Sequence, residues 1–120
     1  MRLSEAALKG YEIGKAIGIE HGAHVYFQQA HASEPAEACF LAFAYLGVMG
    51  TMPNASPMEN QEIISEELVI QFPVLRKPAH NFGLEAGMGL LLSEWITDQN
   101  DSLEAPSVED LAARLREVGL

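Results

Sequence analysis

The run ACFLAFAYLGVM, residues 38–49, decides the fold, because it contains no charge yet falls short of the roughly 20 residues that would span a bilayer. It is predicted as a helix buried inside a globule. Ser33 stands as its N-cap with Pro35 in the first turn, and Gly47 or Gly50 stops it, which gives a helix over about 35–49. Being apolar on all sides, it must be surrounded by other elements. The expected fold is therefore mainly α: a compact bundle of four or five helices around this central helix, with a short strand or hairpin near 24–29.

Working outward toward the N-terminus, Val25, Tyr26 and Phe27 form a β-branched and aromatic run beyond Gly22, which suggests the short strand. Before it, a first helix is predicted from about Ser4 to Ile17, with Ser4 as N-cap and Glu5 and Lys9 at the favourable i,i+4 spacing. Leu3, Ala6, Ala7, Gly10, Ile13, Gly14 and Ile17 fall on one arc of about 120°. Toward the C-terminus, Pro53, Asn54, Ser56 and Pro57 mark 51–60 as a loop. A short amphipathic helix is predicted over 61–71, carrying Ile63, Ile64, Leu68 and Val69 and ended by Pro73. The next, over about 83–97, sets Leu84, Met88, Leu91, Leu92 and Trp95 against Ser93, Glu94 and Thr97. A final helix starts at Ser107 and repeats Val108, Leu111, Ala112, Leu115 and Val118 at helical spacing.

The chain of 120 residues, 48% hydrophobic, supplies one core, so residues 1–120 are read as a single domain. Seven Lys and Arg against 17 Asp and Glu give a net charge of −10, which repels phosphate backbones and anionic lipid and disfavours direct nucleic-acid or membrane binding. The final helix resembles the first half of a helix-turn-helix unit, but no recognition helix follows it. A lone cysteine, Cys39, and an N-terminal stretch unlike a signal peptide point to a cytoplasmic location.

Several residues together carry a resemblance. Leu3 to Ala6 read Leu-Ser-Glu-Ala ahead of Gly10, and Tyr26 and Phe27 precede a cysteine, Cys39, that opens an Ala-rich helix. Phe72, Pro73 and Leu75 then lead to a helix ending near Asn100 and Asp101 and to the Ser-x-Glu-x-Leu-Ala pattern from Ser107. The chain thus resembles small helical proteins of unknown function from bacterial and phage genomes, with the larger Phe40, Leu41 and Phe43 after the cysteine. No activity is assigned to that group, so the resemblance implies a compact helical domain and carries over no catalytic residue.

Candidate sites are few. His21, His24 and His31 lie close in sequence and supply enough ligands for zinc, but they lack paired cysteines, and Gly22 breaks any helical two-His spacing; solvated or hydrogen-bonded imidazoles are the competing reading. Asp98, Asn100, Ser102, Glu104 and Glu109 match positions 1, 3, 5, 7 and 12 of a calcium loop, yet Leu103 stands where the sharp turn needs glycine. Cys39 among apolar neighbours is expected to be an inert thiol. No nucleophile elbow, P-loop, dinucleotide fingerprint or His-Glu-x-x-His is present, so no enzyme activity or cofactor is implied. Gly10, Gly14 and Gly18 repeat every four residues and invite a close helix crossing, either within a homodimer or against the central helix.

Three classes of function follow. The first is a non-enzymatic interaction or assembly module that binds a protein partner or a second copy of itself. The second is an acidic mimic or inhibitor that presents Glu59, Glu62, Glu66, Glu67, Asp98, Asp101 and Glu104 to a basic, nucleic-acid-binding partner. The third is an enzyme or small-ligand binder built around His24, Tyr26 and His80, which requires those side chains to converge, or a metal binder using the clustered histidines.

Overall fold

In the computed structural model, which describes residues 1–84 and 89–120, the uncharged run becomes helix α2, Phe40–Met49, with every residue from Phe40 to Gly47 buried. Gly50 ends it in the left-handed region at φ 81°, its N–H donated to the Leu46 carbonyl. The helix starts later than the expected 35. Residues Ala36–Ala38 instead form strand β3, the middle of a three-stranded sheet among the described residues, with β1 (Ile19–His21) parallel on one side and β2 (Phe27–Gln28) antiparallel on the other. Alanine favours helix locally, but pairing on both edges fixes this segment as strand, so Ser33 caps nothing helical. The fold is mainly α with a small sheet, and the strand expected near 24–29 is β2.

Helix α1, Leu3–Ala16, lies most extensively against α2 and then against α5. Ser4 is not its cap but a buried residue of the first turn, donating its N–H to the Leu120 carbonyl at 3.0 Å. Arg2 holds the cap position, and its N–H is donated to the Glu5 carboxylate at 3.2 Å. Of the predicted arc, Leu3, Ala6, Ala7, Gly10 and Gly14 are buried and Ile13 is half-buried, but Ile17 falls past the helix end and is 65% exposed. The crossing of α1 and α2 depends on two glycines. A Cβ on Gly10 would stand 2.6 Å from the Phe43 carbonyl carbon and 2.8 Å from the Gly47 nitrogen, and one on Gly47 would stand 2.8 Å from the Ala6 carbonyl carbon. The two backbones touch, as small-residue crossings allow.

Helix α3, Pro57–Gln71, begins four residues before the expected 61, so the loop is shorter than 51–60. Ser56 caps it by accepting from Glu59 N, and Pro57 at the first position loses an N–H that would have gone unpaired. Two 3₁₀ turns follow at Pro73–Arg76 and Ala79–Phe82, and the second ends at Gly83 with φ 74°. The helix expected over 83–97 is displaced to α4, Leu92–Asn100. Before it the chain is extended: Ala79 N–H bonds the Leu90 carbonyl and Leu92 N–H bonds the Lys77 carbonyl, both at 2.8 Å, which leaves Leu91 exposed rather than in the core. Met88 lies outside the described residues. Helix α5, Val108–Glu117, matches its expected start, with Ser107 as cap and Val108, Leu111, Ala112 and Leu115 buried.

The buried side chains of all five helices described here belong to one apolar cluster, centred on Phe40, Phe43 and Leu46. The radius of gyration, 13.4 Å, is that of a closely packed chain of this length, for which about 13.6 Å is expected. Among the described residues no helix is long and apolar enough to cross a membrane.

Candidate functional site

Tyr26 and Phe27 position the site. The Tyr26 carbonyl accepts from Cys39 N–H at 2.9 Å, tying β2 to the start of α2, while the Phe27 carbonyl accepts from Asn60 Nδ2 at 3.2 Å, tying it to α3. Asn60 is wholly buried and its Oδ1 accepts from Ala55 N–H, so both ends of its amide are used. The half-buried Tyr26 side chain is thereby fixed between α3 and α4.

Four hollows share Tyr26 in their lining and together make a groove between these two helices. At one end, beside Pro57 and Met58, the space is about 570 Å³. Past Gln61 it continues along Thr97 and Asp101, about 220 Å³, and along Ser93, Glu94 and Asp98, about 290 Å³. The far end narrows to about 80 Å³ among Leu41, Leu68, Val69 and Leu75. From Pro57 to Val69 the groove follows α3 for about 18 Å, at 1.5 Å per residue. One wall is acidic: Glu94 and Asp98 on α4 and Asp101 at its C-cap follow at i, i+4 and i+7, on one side of that helix.

Asn100 anchors this wall. Its side chain is buried, and its Oδ1 accepts from Phe40 N–H at 3.0 Å and from His21 Nε2 at 2.7 Å. Its Nδ2 donates to the Gly22 carbonyl at 3.0 Å and to Asp101 Oδ1 at 3.1 Å. One carboxamide thus caps α2, whose own cap residue, Cys39, makes no side-chain hydrogen bond to the helix end. Asp101 in turn accepts from His24 N–H at 2.9 Å and holds His24, at φ 68°, in the left-handed region.

Cys39 lies on the floor of the groove, but burial pushes its thiol up to about 12. The backbone N–H groups of Ala42 and Leu41 favour the thiolate, as a helix start does, and desolvation outweighs them. The thiol stays protonated at neutral pH.

The three imidazoles considered for a metal each have a separate partner. His21 bonds Asn100, His24 lies 3.8 Å from Asp101, and the exposed His31 lies 3.6 Å from Glu34. Among the described residues no group of three or more His, Cys, Asp or Glu is arranged to hold a metal. The calcium register is not formed either, since Asp98 and Asn100 belong to α4 and Glu109 to α5, with the Asn100 side chain buried. His24 and Tyr26 do meet in the groove, whereas His80 sits in the second 3₁₀ turn and lines none of its hollows. Gly10 and Gly14 face α2 within the chain, Gly14 against the Phe43 ring, so neither offers an open surface to another molecule. Glu62 and Glu66 are exposed on α3 together with Glu59, while Glu67 is half-buried beside Tyr45, whose phenol is raised by burial first and by Glu67 second.

Sequence reasoning missed Gln61 and Thr97 as lining residues and read Asn100 only as a calcium-loop position. For Asn100 there was a signal, because Leu92, Ile96 and Asn100 follow at i, i+4 and i+8 and a polar residue on an inward stripe marks a buried hydrogen-bonding position. No family model, curated protein or solved structure matches this chain.

Proposed function

We propose that the protein is a non-enzymatic protein–protein interaction module and that the groove floored by Tyr26 is its recognition surface. The observation that carries this reading is the continuity of the groove, whose four hollows share one aromatic side chain and run along α3. A tyrosine with an apolar body and a polar tip, fixed between rigid elements, is a common anchor of such surfaces. The protonated, desolvated thiol on the floor supports binding over nucleophilic chemistry. A second copy of the chain would bring another −10 of charge to the contact, which weighs toward a different protein as partner. A lone buried cysteine supports a reducing, cytoplasmic setting.

Site-specific photo-crosslinking in the native cell tests this reading. A benzophenone side chain at Gln61 is expected to capture a discrete protein, and one at the exposed Lys9 on α1 is not. Thr97→Arg, which crowds the groove from its α4 wall, is expected to suppress the adduct. An adduct of twice the chain mass identifies a homodimer instead. Equal capture from both positions, or none from Gln61, overturns the groove as recognition surface.

A further inference from the structure

Resting on the interaction-module reading, we propose that the occupant of the groove is a cationic amphipathic helix of a partner protein, with its basic residues against α4 and its apolar stripe on Tyr26. Charge comes first. Glu94, Asp98 and Asp101 form a ladder whose steps are about 6 and 4.5 Å along the helix axis. Among the described residues none of the three is paired with a Lys or Arg. Another helix laid alongside has the same repeat, so Lys or Arg at its own i, i+4 and i+7 positions meets each step in turn.

The floor specifies the other half of the match. The half-buried Tyr26 and Val69 present apolar surface over the buried Leu41, Leu68 and Leu75, and the narrow end, about 80 Å³, has room for one small aliphatic side chain. An extended peptide has less to gain. The walls are helices whose backbone groups bond internally, and at the β2 edge the Phe27 carbonyl is already taken by Asn60, so a strand has little ladder to join, whereas a helix satisfies its own backbone. The carboxylates of this wall, on a chain of net charge −10, repel a phosphate-bearing occupant.

The test uses the full chain and a synthetic Lys/Leu helix of about 15 residues, long enough at 1.5 Å per residue to cover the groove. Titration followed by amide NMR at about 0.15 M salt is expected to shift Tyr26, Gln61 and Thr97. Glu94→Gln with Asp98→Lys is expected to weaken binding about tenfold, equivalent to about 1.4 kcal/mol. Gln keeps an oxygen to accept from Leu91 N–H, as Glu94 does at 2.8 Å. The control, Glu20→Gln with Glu117→Lys, changes the net charge equally at exposed positions outside the groove and is expected to leave affinity within about threefold. Equal weakening by both pairs means bulk charge attraction and overturns the proposal, as do shifts outside the groove. Equal binding of a proline-interrupted peptide of the same composition overturns the helical occupant. If no peptide binds while crosslinking at Gln61 succeeds, the cationic helix is wrong and the interaction module stands; if crosslinking also fails, the module reading falls with it.

Discussion

Gly10→Ala is the sharpest test of how the core is assembled. On helix propensity alone the change stabilises α1 by about 1 kcal/mol. The added methyl, however, would lie 2.6 Å from the Phe43 carbonyl carbon and 2.8 Å from the Gly47 nitrogen, against ordinary contacts of about 3.5–4.0 Å. These atoms, and the Phe43 carbonyl oxygen that lies nearer still, are backbone inside a buried helix and cannot rotate aside, so α1 and α2 must separate by at least about 1 Å along the most extensive helix contact of the fold. Forced overpacking costs about 1–3 kcal/mol, and opening a gap of that size forfeits a quarter to a half of each dispersion contact across it. A gross loss of about 4 kcal/mol less the propensity gain leaves about 3 kcal/mol, or roughly a 12 °C fall in Tm for a domain of this length. Scanning calorimetry measures it, with Gly14→Ala as comparison, since its methyl meets the rotatable Phe43 ring at 2.8 Å and is expected to cost under about 1 kcal/mol. Equal stability of Gly10→Ala and the unmodified chain would refute the backbone crossing. A variant that keeps its Tm but loses a dimer in sedimentation would return Gly10 to an intermolecular role.

Two further changes probe the anchor and the floor of the groove. Asn100→Ala leaves the Phe40 N–H and the Gly22 carbonyl without their partner and is expected to cost about 3 kcal/mol by urea denaturation; a loss below about 1 kcal/mol would mean that water replaces the amide. Cys39 gives a pH dependence. Its folded pKa, about 12, lies above the ordinary 9.0, so the unfolded chain ionises first and stability, full below pH 9, declines as pH rises toward 12. Tyr45, also raised by burial, acts in the same direction from about pH 10. Denaturation midpoints of Cys39→Ala should therefore fall less steeply between pH 9 and 11 than those of the unmodified protein, and parallel curves would contradict the buried thiol.

The parts of the fold legible in the sequence were those in which local chemistry and burial agree. The run 40–49 is legible from its lack of charge, α1 from its apolar arc, and α5 from periodicity together with the Ser107 cap. Failures came where a distant partner decides. Ala36–Ala38 is strand because Ile19–His21 and Phe27–Gln28 flank it, and α4 starts at Leu92 because residues 90–92 are held extended by Lys77 and Ala79. Ser4 carries a cap's chemistry but sits two residues past the cap, Arg2, where the Leu120 carbonyl accepts from its N–H. Of the candidate site, His24, Tyr26, Asp98 and Asp101 were visible as residue types, while their convergence with Gln61 and Thr97 depends on how α3 and α4 pack across β2.

The amide of Asn100 bridges chain positions separated by 60 and 78 residues. Contacts over such separations require closure of long loops before they yield any stabilisation. During synthesis, α1 and α2 can pair through Gly10 and Gly47 while the ribosome is still making α3, but the first turn of α2 stays open to solvent until residue 100 has emerged. The acidic wall is therefore completed only once α4 has been made, and the globule closes later still, when α5 packs on α1 and the Leu120 carbonyl accepts from Ser4 N–H; a nascent chain stalled before α4 displays the Tyr26 track without its acidic wall.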